Sequence, residues 1–265
     1  MRYLSTVLLL LLSTTIACGS TSRLNRQAAD ALFPVSEENK LGAQLSVDVE
    51  KELKISTDAV LTAYIAELGA KTVKAAGASV PAGIKFTFKV VDDPETVNAF
   101  AMPGGHVYFY TGLIKKATSE AEIMAVMTHE VAHVVRRHVA QRLIANYGAQ
   151  ALLGAALGEN PGVAGEIAAG IVGNGYLLKH SRDAESDADD VGIRWITKAN
   201  YSPQGYVSFF EKLASGGGSP PEFLSTHPDP SNRVQSAKDY ISKLRNAPSN
   251  MGDATRFAAI KSRIK

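Results

Sequence analysis

The chain predicts an α+β fold, mostly helical, with a small sheet just before one long helix and a second acid-bearing helix downstream. Three observations carry that prediction. Apolar residues recur at three- and four-residue steps through most of the 265 residues. One stretch, Ile84 to Val90, alternates apolar and polar residues instead, which suits a strand, and two further strand candidates follow before Tyr110. The run Ser119–Arg142 then combines helical periodicity with the pattern His129-Glu130-x-x-His133.

The first residues read as a targeting segment rather than as part of the fold. Arg2 gives a positive start, Leu4 to Leu12 an apolar core, and Thr15-Ile16-Ala17 a small-residue cleavage site, so residues 1–17 are expected to be a signal peptide. The apolar core is too short for a membrane-spanning helix. The single cysteine, Cys18, follows at once, and the arrangement resembles a bacterial lipobox with Thr15 where leucine is usual. Cys18 is therefore the expected lipidation site. Secretory cleavage after Ala17 would instead leave an exposed thiol, an unusual feature in an oxidising compartment. Residues 18–32 read as a polar tether, 33–245 as the folded domain and 246–265 as a C-terminal tail.

Within the domain, one helix is predicted from Ser36, with Leu41, Leu45 and Val49 on one side. Another starts after Asp58, a good N-cap, and carries Leu61, Ile65 and Leu68. Pro81-Ala82-Gly83 closes the helical region, and strands are expected over Ile84–Val90, Val97–Met102 and Val107–Tyr110, the last two joined by Pro103-Gly104-Gly105. Ala145–Leu178 is rich in glycine and alanine, and Glu159–Gly162 divides it into two short helices. Its Gly154-x-x-x-Gly158 pair suits close helix packing, and each half is too short to cross a membrane. Net charge is +2, or +1 after loss of Arg2 (27 Lys+Arg against 26 Asp+Glu), and no basic stripe suggests nucleic acid.

The chemistry concentrates on two helices. One turn apart, His129 and His133 project the same way and can grip one metal ion, with Glu130 beside them to take a proton from a water. A chance HExxH on an ordinary helix would lack a third ligand. The run Ser181–Asp190, read as a helix continuing through Trp195, supplies one: Glu185 can complete a zinc site and leave a position open. Asp189, a turn further on, would accept the other ring N–H of His129. Alone, such an acidic run would read as a solvated helix face.

The pair His129-Glu130-x-x-His133 and Glu185-x-x-Ala188-Asp189 resembles the gluzincin metallopeptidases. More narrowly, it is similar to the family of the CAAX prenyl protease, the mitochondrial inner-membrane stress protease and their soluble periplasmic relatives. Asn98-Ala99-Phe100-Ala101-Met102-Pro103-Gly104-Gly105 with Tyr110-Thr111-Gly112-Leu113, and Ser225-Thr226-His227-Pro228 with Arg233, match the segments on either side of the two motifs. The resemblance implies a zincin-like fold, one zinc per chain and hydrolysis of peptide bonds in unfolded or misassembled envelope proteins. It implies that Asn98, Ala99, Phe100 and Ala101 form the strand along which a substrate lies, and that His227 acts as a transition-state donor or displaceable fourth ligand. Arg233 would support the oxyanion or His227. The implied setting is the bacterial periplasm, lipid-anchored at the inner leaflet of the outer membrane, with outer-membrane assembly or quality-control proteins as partners. Two rivals are a non-proteolytic, chaperone-like zinc protein and a membrane-embedded protease using the Gly/Ala-rich hairpin. His106, His138 and His180 are expected in surface or packing roles, and Arg136 and Arg137 at a solvated helix end.

Overall fold

The computed structural model describes residues 27–215, 222–228 and 230–265; the leader, Cys18 and the first part of the tether lie outside the described residues. Its helices are α1 (Val35–Glu52), α2 (Ala59–Ala76), α3 (Thr111–Lys116), α4 (Glu120–Val135), α5 (His138–Tyr147) and α6 (Ala149–Ala156). They continue with α7 (Pro161–Asn174), α8 (Arg182–Lys198), α9 (Gln204–Ala214), α10 (Glu222–Thr226), α11 (Pro230–Ser242) and α12 (Ala254–Lys261). Strands β1 (Thr87–Val91), β2 (Ala99–Met102) and β3 (His106–Tyr110) form one sheet in the order β1-β3-β2. β1 runs parallel to β3, and β2 antiparallel to it through the tight Pro103–Gly105 turn. The mostly helical α+β class is as the sequence predicts.

Local chemistry explains most boundaries. Asp58 caps α2 by accepting from the Val60 and Leu61 amides. Ser119 caps α4 by accepting from the Glu122 amide, and the Glu122 carboxylate answers at the Thr118 amide, 2.8 Å away. Ser181 caps α8 at the Ala184 amide. The predicted apolar stripes of α1 and α2 are all buried.

α4 departs from the expected amphipathic helix, because every residue from Glu120 to Val135 is buried. It runs through the middle of the molecule, packed by α2, α8, α9 and β2. Its two N-terminal acids are matched: Glu120 accepts from Tyr64 and Tyr201, and Glu122 from Ser208 and Lys212. The crossing with α8 needs Gly192, since a Cβ there would lie 1.8 Å from the Tyr206 hydroxyl. That hydroxyl bonds the Thr128 hydroxyl on α4 at 2.9 Å.

Nor does the helix run unbroken to Arg142. Arg137 takes a left-handed conformation (φ 58°, ψ 33°), and α5 starts afresh at His138. The two Gly/Ala-rich helices form as expected, α6 and α7, and pack on Leu41, Leu45 and Val49 of α1 through Leu152, Ala155, Ile167, Ala168 and Ile171. Gly158 lies beyond the end of α6 with open space around it, so the Gly154/Gly158 pair makes no packing seam. Among the described residues, no helix is long and apolar enough to cross a membrane.

Both ends of the described chain belong to the fold. Residues 27–32, expected as tether, are helical, with Ala29 and Phe33 buried. The segment expected as a C-terminal tail returns across the molecule. Met251 accepts from the Ala121 amide, Asn250 from the Ser202 amide, and Phe257 and Ile260 enter the main core.

Candidate metal centre

α4, α8 and the turn after α10 deliver four side chains to one buried point. One ligand atom from each of His129, His133, Glu185 and His227 lies within 4.8 Å of all the others. His129 Nε2 is 2.9 Å from His133 Nε2 and 3.2 Å from His227 Nδ1, which in turn is 3.1 Å from Glu185 Oε1. Two neutral imidazoles can share one proton across such a contact, but a shared metal ion takes the lone pairs of all of them at once. Tetrahedral zinc with metal–nitrogen bonds of about 2.0–2.1 Å sets ligand atoms roughly 3.3 Å apart, close to the observed spacing. The donor set, three imidazoles and a carboxylate, suits zinc.

Glu130 supports the fit from the other side. Its carboxylate is fully buried, and neither oxygen has a hydrogen bond among the described residues. The His227 Nε2 lies 3.4 Å from its Oε1. A buried acid without partners costs several kcal/mol when charged. Burial accordingly raises the Glu130 carboxyl above its usual range, while the imidazoles of His227 and His129 pull against it.

Behind the cluster, charged groups hold the ligands in place. Asp189 accepts from His129 Nδ1 at 2.9 Å, the arrangement expected from the sequence. Arg233 grips Asp189 with two hydrogen bonds of 2.7 and 2.8 Å and reaches Glu185 Oε2 at 2.7 Å. Its guanidinium thus clamps two carboxylates, 4.2 Å from the Phe210 ring. Burial alone would raise the Glu185 carboxyl, but His227, Arg233 and His129 hold it well below the carboxylate range. Burial and Arg233 push the His129 imidazole down; Glu185 and Asp189 outweigh them and bring it to about 9. Burial, with His180 and His129 nearby, pushes His133 well down.

Two further residues at the centre were not expected there. His138 Nδ1 lies 2.9 Å from His133 Nδ1, and the His180 ring stacks on His133 with centroids 3.7 Å apart. Both are buried. Arg137, expected on a solvated helix end, is wholly buried: it pairs with Glu38 at 2.7 Å and Asp30 at 2.6 Å and donates to the Phe33 carbonyl at 2.5 Å. Arg136 makes a two-point contact with Asp187. His106 does stay away from the centre, where its Nδ1 meets the Thr87 hydroxyl at 3.0 Å. The miss at His138 has a geometric cause. On a straight helix, residues five apart point about 140° away from each other, and only the left-handed turn at Arg137 brings His138 back onto His133. His180 sits forty-seven residues from His133, in the link before α8, where its amide donates to the Thr226 carbonyl.

Beside the centre runs a cleft of about 510 Å³. Asn98, Phe100, Ile171, Val172, Leu178 and Thr226 are among the residues that line it. Ala99 and Ala101 are buried in the sheet, paired with Phe109 and Val107 of β3. The Asn98 side-chain oxygen has no hydrogen-bond partner among the described residues.

Comparison with known proteins bears on this geometry. The chain is 28% identical over 279 residues to the beta-barrel assembly-enhancing protease of Yersinia pestis, a match covering 95% of this chain and 56% of the relative. It is 26% identical over 230 residues to the Escherichia coli (strain K12) protein of that name, covering 82% and 46%. To the mitochondrial metalloendopeptidase OMA1 of Saccharomyces cerevisiae it is 32% identical over 170 residues, covering 61% and 48%. The chain spans about half the length of these relatives. Both helices of the metal centre and the cleft strand fall within residues 59–241, the stretch matched by the model of peptidase family M48, and the chain belongs to that family.

Proposed function

We propose that the protein is a zinc endopeptidase that cleaves unfolded or misassembled proteins of the bacterial envelope. The observation that carries the reading is Glu130, a buried carboxylate with unpartnered oxygens beside a four-donor cluster. A purely structural metal site has no use for such a group. His129, His133 and Glu185 would hold the ion, with His227 as a fourth donor that can leave. When bound, zinc would polarise the scissile carbonyl and make a neighbouring water more acidic. Glu130 takes the proton of the attacking water and returns it to the departing amine. His227, whose Nε2 lies 3.4 Å from Glu130 while the ring is at the cluster, would stabilise charge developing on the carbonyl oxygen after leaving it. Substrate would lie extended along Asn98–Ala101, bound mainly through its backbone and hence with broad side-chain tolerance.

The setting rests on the leader and on the names of the relatives. A lipid on Cys18 would tether the enzyme to the membrane, and substrates among outer-membrane proteins under assembly fit the relatives called beta-barrel assembly-enhancing proteases. The chaperone-like alternative has no specific observation in its favour.

The direct test is Glu130→Gln. The variant is expected to bind zinc stoichiometrically, melt like the wild type and fail to cut an unfolded test protein. Undiminished cutting would remove Glu130 from the mechanism. For the anchor, labelled palmitate should enter the wild-type protein and not Cys18→Ser; equal labelling would rule Cys18 out.

A further inference from the structure

The two histidines of the HExxH helix are backed in different ways. His129 gives its Nδ1 directly to a carboxylate, Asp189, which an arginine, Arg233, holds from behind. Among the described residues, no carboxylate meets His133 at its Nδ1. His133 meets another imidazole there instead, His138 Nδ1 at 2.9 Å. The far nitrogen of that ring, His138 Nε2, is 3.3 Å from Asp187 Oδ2, and Asp187 is itself held by two hydrogen bonds of 2.5 Å from Arg136.

Hydrogen-bond accounting leaves one neutral arrangement that satisfies both contacts of His138. Asp187 can only accept when ionised, so His138 carries its proton on Nε2 and donates it there. The Nδ1 of His138 is then an acceptor, and the hydrogen in the Nδ1–Nδ1 contact belongs to His133. With its proton on Nδ1, His133 offers the bare lone pair of Nε2 to the point shared with His129, His227 and Glu185.

We propose that His138 is the positioning residue for His133, fixing the tautomer and ring orientation that a metal requires, with Asp187 and Arg136 fixing His138 in turn. The assignment rests on the metal-centre reading above and adds a residue to it. Its backbone origin is the left-handed Arg137. That residue turns the chain between α4 and α5, and its guanidinium is anchored by Glu38, Asp30 and the Phe33 carbonyl. The N-terminal segment is thereby connected to the metal centre through one backbone turn.

The test is zinc affinity, measured on the full chain by competition with a chromophoric chelator at one pH after metal removal. Loss of an outer hydrogen-bond partner typically weakens a site about 10–100-fold, and His138→Ala should fall in that range. In His138→Asn, the amide oxygen stands near the place of Nδ1 and can accept from His133, so affinity should return to within about threefold of wild type. Asp187→Ala should weaken binding in the same direction as His138→Ala. Nitrogen-15 spectra of the zinc-loaded protein should show a slowly exchanging Nδ1 proton on His133 in the wild type and His138→Asn, and its loss in His138→Ala. Melting of the metal-free proteins shows whether each variant folds; should His138→Ala not fold, the asparagine variant and Asp187→Ala carry the test. Wild-type affinity in His138→Ala, or no recovery in His138→Asn, overturns the proposal. A His133→Ala control separates the two levels. Loss of zinc there with unchanged binding in His138→Ala defeats only the positioning role, whereas retention of zinc in His133→Ala defeats the metal-centre reading as well.

Discussion

At the scale of single residues, the centre is a set of buried charges that are tolerable only together. Glu185, Asp189 and Arg233 are each buried, and taking any such ion out of water costs several kcal/mol. Arg233 offsets two of those costs at once, because its planar fork reaches both oxygens of Asp189 and one of Glu185. Lysine presents one point charge and cannot do so. Arg233→Lys should therefore lower thermal stability by several degrees and zinc affinity about 10–100-fold; melting curves and chelator competition check both, and unchanged values would mean the clamp is idle. Glu185→Ala should lose zinc by elemental analysis, and full occupancy would exclude Glu185 as a ligand. His227→Ala separates its two proposed uses by sign. Basal self-cleavage rises if the ring blocks the site at rest, and cleavage of every substrate slows if it only stabilises developing charge.

At the scale of elements, the break between α4 and α5 matters most. A left-handed non-glycine residue costs roughly 1–3 kcal/mol unless its surroundings over-determine it. Here they do, since Arg137 is pinned by a buried Glu38, by Asp30 and by the Phe33 carbonyl. Removing one partner of a buried pair leaves the other charge uncompensated, at about 3–5 kcal/mol. Glu38→Ala should therefore lower the unfolding free energy by that amount, shifting the urea midpoint down, and make residues 27–34 the first site cut in limited proteolysis. A midpoint within error of wild type would show that Asp30 alone suffices. The all-round burial of α4 is a second property of the element: its zinc-facing side and its structural sides are equally dry, so polar substitutions anywhere along Ala121–Val135 should destabilise.

At the scale of the whole molecule, the C-terminal segment closes the fold. Phe257 and Ile260 enter the main core, and each contributes roughly 1.5–3 kcal/mol by burial. Arg256 and Arg263 on the same segment reach back to Glu67 and Asp58 of the α2 region. Deleting residues 254–265 should lower the melting temperature by several degrees in circular dichroism; no shift would mean the segment is only laid on the surface. The Glu67 contact adds a pH dependence. Hydrogen bonds from Arg256 and then Lys71 hold its carboxyl down at about 2, below its ordinary 4.5. A carboxyl depressed on folding stabilises above its unfolded value, and that contribution disappears as pH falls from about 4.5 to about 2. Glu67 is 43% exposed, so the term is small, about 0.2–1 kcal/mol. Glu67→Gln should flatten the acid limb of the stability curve by that much; an identical limb would assign acid sensitivity to other groups.

The sequence by itself determined the helices from Ser36 and Asp58, the helical character of the HExxH run, the three strands and the His129/His133 pair, because each is written in short-range terms. Periods of two and four place side chains on a face, Asp58, Ser119 and Ser181 cap from within three residues, and His129 and His133 need only one helical turn to converge. Helical spacing also put Glu185 and Asp189 one turn apart on a second helix, and motif resemblance extended the reach to His227 and Arg233, which no local rule connects. Tertiary structure alone decided what the second rank of charges does. Arg233 could be expected near the site, but only packing shows it spending its fork on Asp189 and Glu185. His138 looked unpartnered because five-residue spacing points away on a straight helix, and the turn that reverses it is held by Glu38 and Asp30, about a hundred residues earlier. Burial settled Arg137 and the full circumference of α4, since a sequence records which residues are apolar but not how many neighbours surround a helix. Charges paired across the chain lie beyond any local pattern, and here they fix the metal centre.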